Sequence, residues 1–396
     1  MMITGGPVVR TSFRKEERAV VCVVCLVLLI PVCVRTQSQQ NPPSQSTLPK
    51  GSDSKTNPVT IIDMKTGQTS PKNHEDEDEV TPLRWLELGT VSLSTRYHFI
   101  DNSEGLTIAN NNQYQVAVRG RLRFDRQGKY SVSAGVFTGN SFSGGWNASG
   151  WGTGRSRGNL YLKQLYATAK PVDGVELQYG GLHFEYGEST EITSYDFDGY
   201  LTGQRVKLTR PGDLFFDEVS ITYGYVGDLT QPGINKRFHR LTQSNYHQFL
   251  VARRAGARTK VSVDYTFESG VDTFREAAKV KTPEIGVIDT LHFETYQRAG
   301  DQSGYGFSIY GEKAINDRLT IGGGFASIDR TGLNSDRFPR GERLFLNSLL
   351  TVNSELSLNI SFTQAVSNPV TVLPKSRLDL ALSYNLLQTL RKARLF

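Results

Sequence analysis

Apolar and polar side chains alternate one for one, over run after run, from Trp85 to Leu386. On an extended chain this sends one set to each face of the strand, so every run has a greasy face and a wet one. In Tyr114 to Phe124 the first set is Tyr114, Val116, Val118, Gly120, Leu122 and Phe124, and the opposite face carries Gln115, Ala117, Arg119, Arg121 and Arg123. Val261, Val263, Tyr265 and Phe267 alternate with Ser262, Asp264, Thr266 and Glu268, and Leu378, Leu380, Leu382, Tyr384 and Leu386 with Asp379, Ala381, Ser383 and Asn385. A soluble sandwich alternates too, burying its apolar face in a core. Length separates the two: the runs last about 10–13 residues, against ~5–6 in globular sheets, and suit a tilted bilayer crossing. The connections agree. Asp125–Lys129, Val172–Gly174, Asn316–Arg318 and Asn353–Glu355 are tight, whereas 140–158, 229–245 and 329–340 are long. That is the asymmetry of an outer-membrane barrel, with short periplasmic turns and long external loops.

Parity sets the strand number, because both ends of a single-chain barrel lie on the periplasmic side. Nine strands run forward from Trp85 to 259–268. Backward from Leu386, the segments 376–387, 341–352 and 303–315 descend and 285–298 ascends, so a descending strand is required between 269 and 284. Only Val271 to Lys281 is available there, and it alternates poorly. The expectation is an all-β, antiparallel, up-and-down transmembrane β-barrel over residues 84–396, with about 16 strands and 14 or 18 as the alternatives.

Upstream, Ala19–Val34 is the one long apolar stretch, and its 16 residues fall short of the ~20 that a spanning helix needs. Arg10, Arg14, Lys15 and Arg18 precede it and polar residues follow from Arg35, the layout of a secretory signal over residues 1–36. All three cysteines, Cys22, Cys25 and Cys33, lie inside it, so cleavage leaves no thiol, disulfide or cysteine-bound metal. Cleavage also turns 45 Lys+Arg against 39 Asp+Glu into 40 against 37, and a net +3 gives nucleic-acid binding no support. Residues 37–83 are rich in Gln, Ser, Pro, Thr and Asn and hold the acidic run Glu75, Asp76, Glu77, Asp78 and Glu79. They read as a disordered polar periplasmic linker, without the spaced ligands and glycine turn of a calcium loop.

The chemistry-bearing residues point to a passage rather than a catalyst. His74, His98, His183, His239, His247 and His292 show no metal-ligand spacing, and no GxSxG, P-loop or dinucleotide fingerprint stands out. No catalytic residue, metal or cofactor is expected; His183 with Ser189 is the one pairing an enzyme reading could use. The sharpest constellation is Arg119, Arg121 and Arg123 on one strand face. Toward lipid each would cost about 2–4 kcal/mol at midplane, so they must line the lumen. Arg205 and Lys207 repeat the spacing, and Asp264 with Glu268 are the acidic counterparts. Guanidinium forks match carboxylates and phosphates, so such a wall favours anionic solutes or balances acids across the pore.

The run from Leu160 to Leu208 resembles alginate-export-type, carbohydrate-selective outer-membrane porins. The resemblance rests on Gln164 and Tyr166, the turn Lys170–Gly174, Tyr186 with Gly187, Asp196 and Asp198, and Gly203 with Arg205. It covers about one eighth of the chain and implies a passive barrel for hydrophilic, acidic or oligosaccharide solutes, typically of eighteen strands. Where that family has Gly-Arg-Gln, this sequence has Gly180, Gly181 and Leu182, so alginate itself is not implied. The expectation is a bacterial outer-membrane porin whose partners are lipid, small hydrophilic solutes and further copies of the chain. A barrel enzyme acting on envelope lipid or polysaccharide, or a structural or adhesive barrel, are the alternatives.

Overall fold

The computed structural model describes residues 85–139, 145–148, 160–190, 199–209, 215–227, 232–282, 286–300, 303–329, 341–367 and 374–393. The signal and linker expected before Leu83, most of the loops 140–158 and 329–340, and Asp196 and Asp198 lie outside them. Among the described residues sixteen long strands follow one another: β1 Leu86–Asn102, β2 Thr107–Arg123, β3 Tyr130–Phe137, β4 Tyr161–Ala169, β5 Val175–Leu182, β6 Leu201–Thr209, β7 Glu218–Tyr225 and β8 Tyr246–Ala255. Then come β9 Thr259–Glu268, β10 Val271–Lys281, β11 Thr290–Ala299, β12 Gly304–Ala314, β13 Leu319–Ile328, β14 Gly341–Thr351, β15 Leu356–Ala365 and β16 Pro374–Asn385. Each pairs antiparallel with its sequence neighbours, and β1 pairs with β16 from Ser92↔Asn385 to Asn102↔Pro374, closing the sheet. A two-residue bridge, Asn147–Ala148, continues the ladder on β2 beyond the end of the shorter β3, opposite Tyr114 and Gln113. Asn147 is thus a buried wall residue.

Val271–Lys281, the segment with the weakest alternation, is a regular strand paired on both sides. Its inward set is Thr273, Arg275 and Ala277, all buried, while Asp272 and Glu276 on the other face blur the pattern. The end of the last strand differs from expectation. β16 stops at Asn385, and Leu386, read as its last outward residue, instead opens helix α1, Leu386–Lys392. The Asn385 side chain accepts from Gln388 N at 3.4 Å, and a short polar N-cap of this kind ends a strand and starts a helix at once. Leu387 turns inward and is buried. The long polar loop expected over 229–245 also holds a 3-10 turn, Ile234–Arg240.

The hairpins are closed by short polar side chains. Asp125 accepts from the backbone N–H of Gln127, Lys129 and Tyr130 at 3.2, 3.0 and 2.7 Å. Asn316 and Asn353 each take two N–H groups within 2.9 Å in the same way. Asp and Asn are favoured in such turns because the side chain imitates the backbone acceptor it replaces. The N–H of Tyr130, then those of Lys129 and Gln127, hold the Asp125 carboxyl below its ordinary pKa against slight desolvation. Its contribution to the turn is therefore present at neutral pH and lost as pH falls through that lowered value.

The burial pattern is the inverse of a soluble protein's. Ser94, Thr168, Gln178, Arg205, Thr222 and Asp264 are buried on the inner face, whereas Tyr179, Val206, Ile221, Phe249, Leu346 and Leu380 are exposed on the outer one. Facing can be read directly. In a chain with its three cysteines replaced by serine, spin labels at Val118, Val263 and Leu380 should report lipid, and labels at Ala117, Ser262 and Asp379 should report water. The reverse accessibility would make the molecule a soluble sandwich.

Candidate functional site

Because side chains opposite one another across a ladder lie side by side, the strand register arranges the inner wall in rows. One row runs Glu312, Gly322, Asn347, Ser361, Asp379, His98, Asn111 across β12 to β16 and on to β1 and β2. The next runs His292, Tyr310, Gly324, Phe345, Thr363, Arg377. Where the two rows meet the seam, Asp379 gathers nitrogen donors. Its carboxylate takes His98 Nδ1 at 2.5 Å and Arg377 Nε at 2.9 Å, with Arg96 Nη1 at 3.6 Å. Arg343, fully buried on β14, donates to the Pro374 carbonyl at 2.5 Å, beside this group. Arg96 also donates to Gln113 Oε1 at 2.9 Å and lies over the Trp146 ring at 4.4 Å.

The chain leaving β5 turns inward. Residues His183–Thr190 are fastened in turn to β8, β9 and β11. Gln248 Nε2 donates to the Glu185 carbonyl at 2.9 Å, Glu188 N donates to Ser262 Oγ at 2.8 Å, and Thr190 N donates to Glu294 Oε1 at 3.0 Å. Gly187, at φ +59°, passes so close to Ser262 that a Cβ would lie 2.5 Å from the serine Cβ, so neither its conformation nor its contact suits a larger residue. The loop carries its own apolar packing. Leu182, Phe184, Tyr186 and Tyr200 form a buried cluster with Leu201, Val226, Tyr246 and Ile234 of the 3-10 turn. Gly181 makes room for Ile234, with which any Cβ there would collide.

The root of the loop is locked by charge. Arg205 donates to Thr222 Oγ1 and to Gln178 Oε1, both at 2.9 Å, and to the His183 carbonyl at 2.6 Å, with Glu185 Oε1 3.5 Å away. Lys207 reaches Glu218 at 2.8 Å and Glu185 at 3.7 Å. His183 Nε2 lies 3.6 Å from Glu185, its ring tilted against Tyr166, while Ser189 is buried further along the loop.

The residues singled out from sequence therefore fall into three groups. Arg205 and Lys207 come together on Glu185, an acidic partner that alternation could not reveal because it lies in a loop. Arg119, Arg121 and Arg123 do share the inner face of β2, each with a local contact. Arg119 lies over the Phe137 ring at 4.6 Å, Arg121 donates to Ser131 Oγ at 2.8 Å, and Arg123 pairs with Glu87. Asp264 is buried seven strands away, bound by Arg275 Nη1 at 3.2 Å and Gln248 Nε2 at 3.1 Å. Glu268 ends β9 opposite Val271 and Tyr246, also far from the β2 arginines. The seam group of Arg96, His98, Arg343, Arg377 and Asp379 was not anticipated.

No family model matches the sequence, and neither does any curated protein. Solved structures match in fold. A structure titled "Asymmetric conductivity of engineered proteins" has a TM-score of 0.51 at 9% identity, covering 76% of this chain and 99% of that one. Two triply substituted Rh. blastica porins each have a TM-score of 0.50, at 11% and 12% identity, with the same coverage. The chain thus has a porin-type barrel fold.

Removing the Arg205 head leaves Glu185, Gln178 and the His183 carbonyl short of a donor in a site where the guanidinium is wholly buried. Arg205→Ala should cost about 2–4 kcal/mol, seen as a lower temperature for the unfolding shift on a detergent gel. Lys207→Ala, whose ammonium is partly exposed, should cost about 0–1 kcal/mol. Equal effects would contradict the assignment of Arg205 as the loop's anchor.

Proposed function

We propose that this protein is an outer-membrane porin through which small hydrophilic solutes diffuse passively, anions in preference to cations and acidic oligosaccharides among them. The observation that carries the reading is the inverted wall: buried guanidinium, carboxylate and hydroxyl groups inside, leucine, isoleucine and aromatic rings outside. Such a closed sheet is solvated on both faces only with lipid around it and water within it. The fold shared with Rh. blastica porins supports a channel, and the loop His183–Thr190 is the element that narrows it. In this reading residues 1–36 are the export signal, 37–83 a periplasmic linker and 84–396 the barrel, and the short turns face the periplasm.

The preference for anions rests on the charge of one sector of the inner wall. On β14, β16, β1 and β2 the inward guanidiniums Arg343, Arg377, Arg96, Arg119, Arg121 and Arg123 share one sector with the carboxylates Asp379 and Glu87. Arg205 and Lys207 add positive charge at the root of the loop. Fields from these groups reach across a pore at low salt, where the screening length is about 10–30 Å at 0.1–0.01 M.

The test is the reversal potential under a salt gradient across a planar bilayer. Wild-type channels should favour anions, and replacing Arg119, Arg121 and Arg123 together by serine should move the permeability ratio toward cations with little change in heat resistance. Unchanged selectivity combined with lost heat resistance would make the ladder a structural network and remove it from the account of selectivity.

A further inference from the structure

One stretch of the inner wall carries charge that its neighbours leave largely unneutralised. The strand register sets Arg254 of β8 opposite Lys260 of β9, and Lys260 opposite Lys279 of β10. Residues opposed in this way share a face, and here it is the inner one. Lys260 is two positions from Ser262, which accepts from Glu188 N of the inward loop, and the Lys260 ammonium lies 3.9 Å from the Glu188 carboxylate. Lys279 is two positions from the buried Ala277 and stands opposite the buried His292. Toward the short turns Lys281 follows on the same face, its N–H donating to the Arg258 carbonyl at 2.9 Å. Like charges placed directly opposite one another repel, so such a row costs the fold stability.

The guanidiniums of the seam and of β2 have acids at hand, as Arg377 has Asp379 and Arg123 has Glu87. This row is different. Among the described residues no carboxylate pairs with the Arg254, Lys279 or Lys281 head, and Glu188 alone approaches Lys260. The nearby acids are turned elsewhere: Asp217 accepts from the Arg254 backbone N–H at 2.5 Å, Glu312 lies 3.8 Å from His292, and Asp289 takes Lys313 at 2.8 Å. The Lys260 side chain is 54% exposed, and Arg254 is exposed beside it. Three long side chains rooted about 5 Å apart can bring their heads onto one small anion. A carboxylate offers two oxygens in one plane. A phosphate group offers oxygens in several directions and more charge at neutral pH, which suits cations converging from three strands.

We propose that Arg254, Lys260 and Lys279 form a binding site for the phosphate group of a soluble anion. The row lies on the short-turn side of Ser262, where the inward loop is fastened, so a solute that has passed the loop meets it before leaving the barrel. The proposal takes from the preceding reading only that the lumen holds water.

Two measurements on the purified, folded protein test it: block of the single-channel chloride current by inorganic pyrophosphate, and calorimetric titration of the detergent-solubilised barrel with the same anion. At about 0.1 M chloride, where the screening length is about 10 Å, wild type should be blocked and should bind. Lys260→Ser with Lys279→Ser should raise the half-blocking concentration and the Kd by about tenfold, without lowering the temperature of unfolding. Lys260→Arg with Lys279→Arg should keep both near wild type, and Arg391→Ser, an exposed cation of helix α1, should change neither. Equal binding by wild type and the serine pair would overturn the proposal. A barrel that conducts but takes up no pyrophosphate loses the site and keeps the passage, whereas one that binds through these lysines but never conducts keeps the site and loses the passage. Phosphatidic acid retained in native mass spectra, with no response to pyrophosphate, would assign the row to a lipid headgroup and overturn a soluble ligand.

Discussion

Hydrocarbon offers the peptide backbone no hydrogen-bond partner, so a sheet that crosses it can have no open edge. The seam of β1 with β16 meets that requirement, and the rest of the molecule depends on it. It joins residues from opposite ends of the barrel sequence, as in the hydroxyl pair Ser94–Ser383, 289 positions apart. In the proposed membrane setting closure forces the choice of faces: with lipid outside, most polar residues of the alternation are driven inward, Asp272 and Glu276 being exceptions. There, guanidiniums find carboxylates, hydroxyls, carbonyls and aromatic rings. The same closure makes neighbours of Arg96 and His98 from the first strand and Arg377 and Asp379 from the last.

A wall lined this way gives little apolar surface against which an inward loop could pack. The loop after β5 adds its own apolar residues to the wall residues Leu201 and Tyr246. Phe184, Tyr186 and Tyr200 pack with Ile234 from the separate loop between β7 and β8, forming a small core inside a polar cylinder. Hydrophobic burial gives that core its cohesion, and hydrogen bonds at its two ends give it position. Arg205 fixes the root, and Ser262 and Glu294 fix the crossing.

Much of the architecture was legible in the sequence because a period of two is a local signal. It located fifteen strands by pattern and the sixteenth, Val271–Lys281, by parity alone. That strand resisted because Asp272 and Glu276 occupy its outer face, where an apolar residue is expected. The pattern failed at Leu386, since an alternation that includes one more leucine cannot show that Asn385 has capped a helix. For the site, three arginines two apart on one strand were conspicuous, and β2 does turn them inward. Arg96, Arg343 and Arg377 are single charges on three strands and become a group only through register and seam. Glu185 was hidden for the complementary reason: loops have no period from which an inward direction can be inferred.

Planar-bilayer recording of the purified, folded barrel tests most directly whether the polar inner face encloses a continuous aqueous path. Insertion should produce discrete, long-lived, ohmic conductance steps, and deletion of Phe184–Thr190 should enlarge them. A fully folded barrel that inserts but never conducts, with or without that loop, would show that the inward polar residues form a sealed core and would contradict the account.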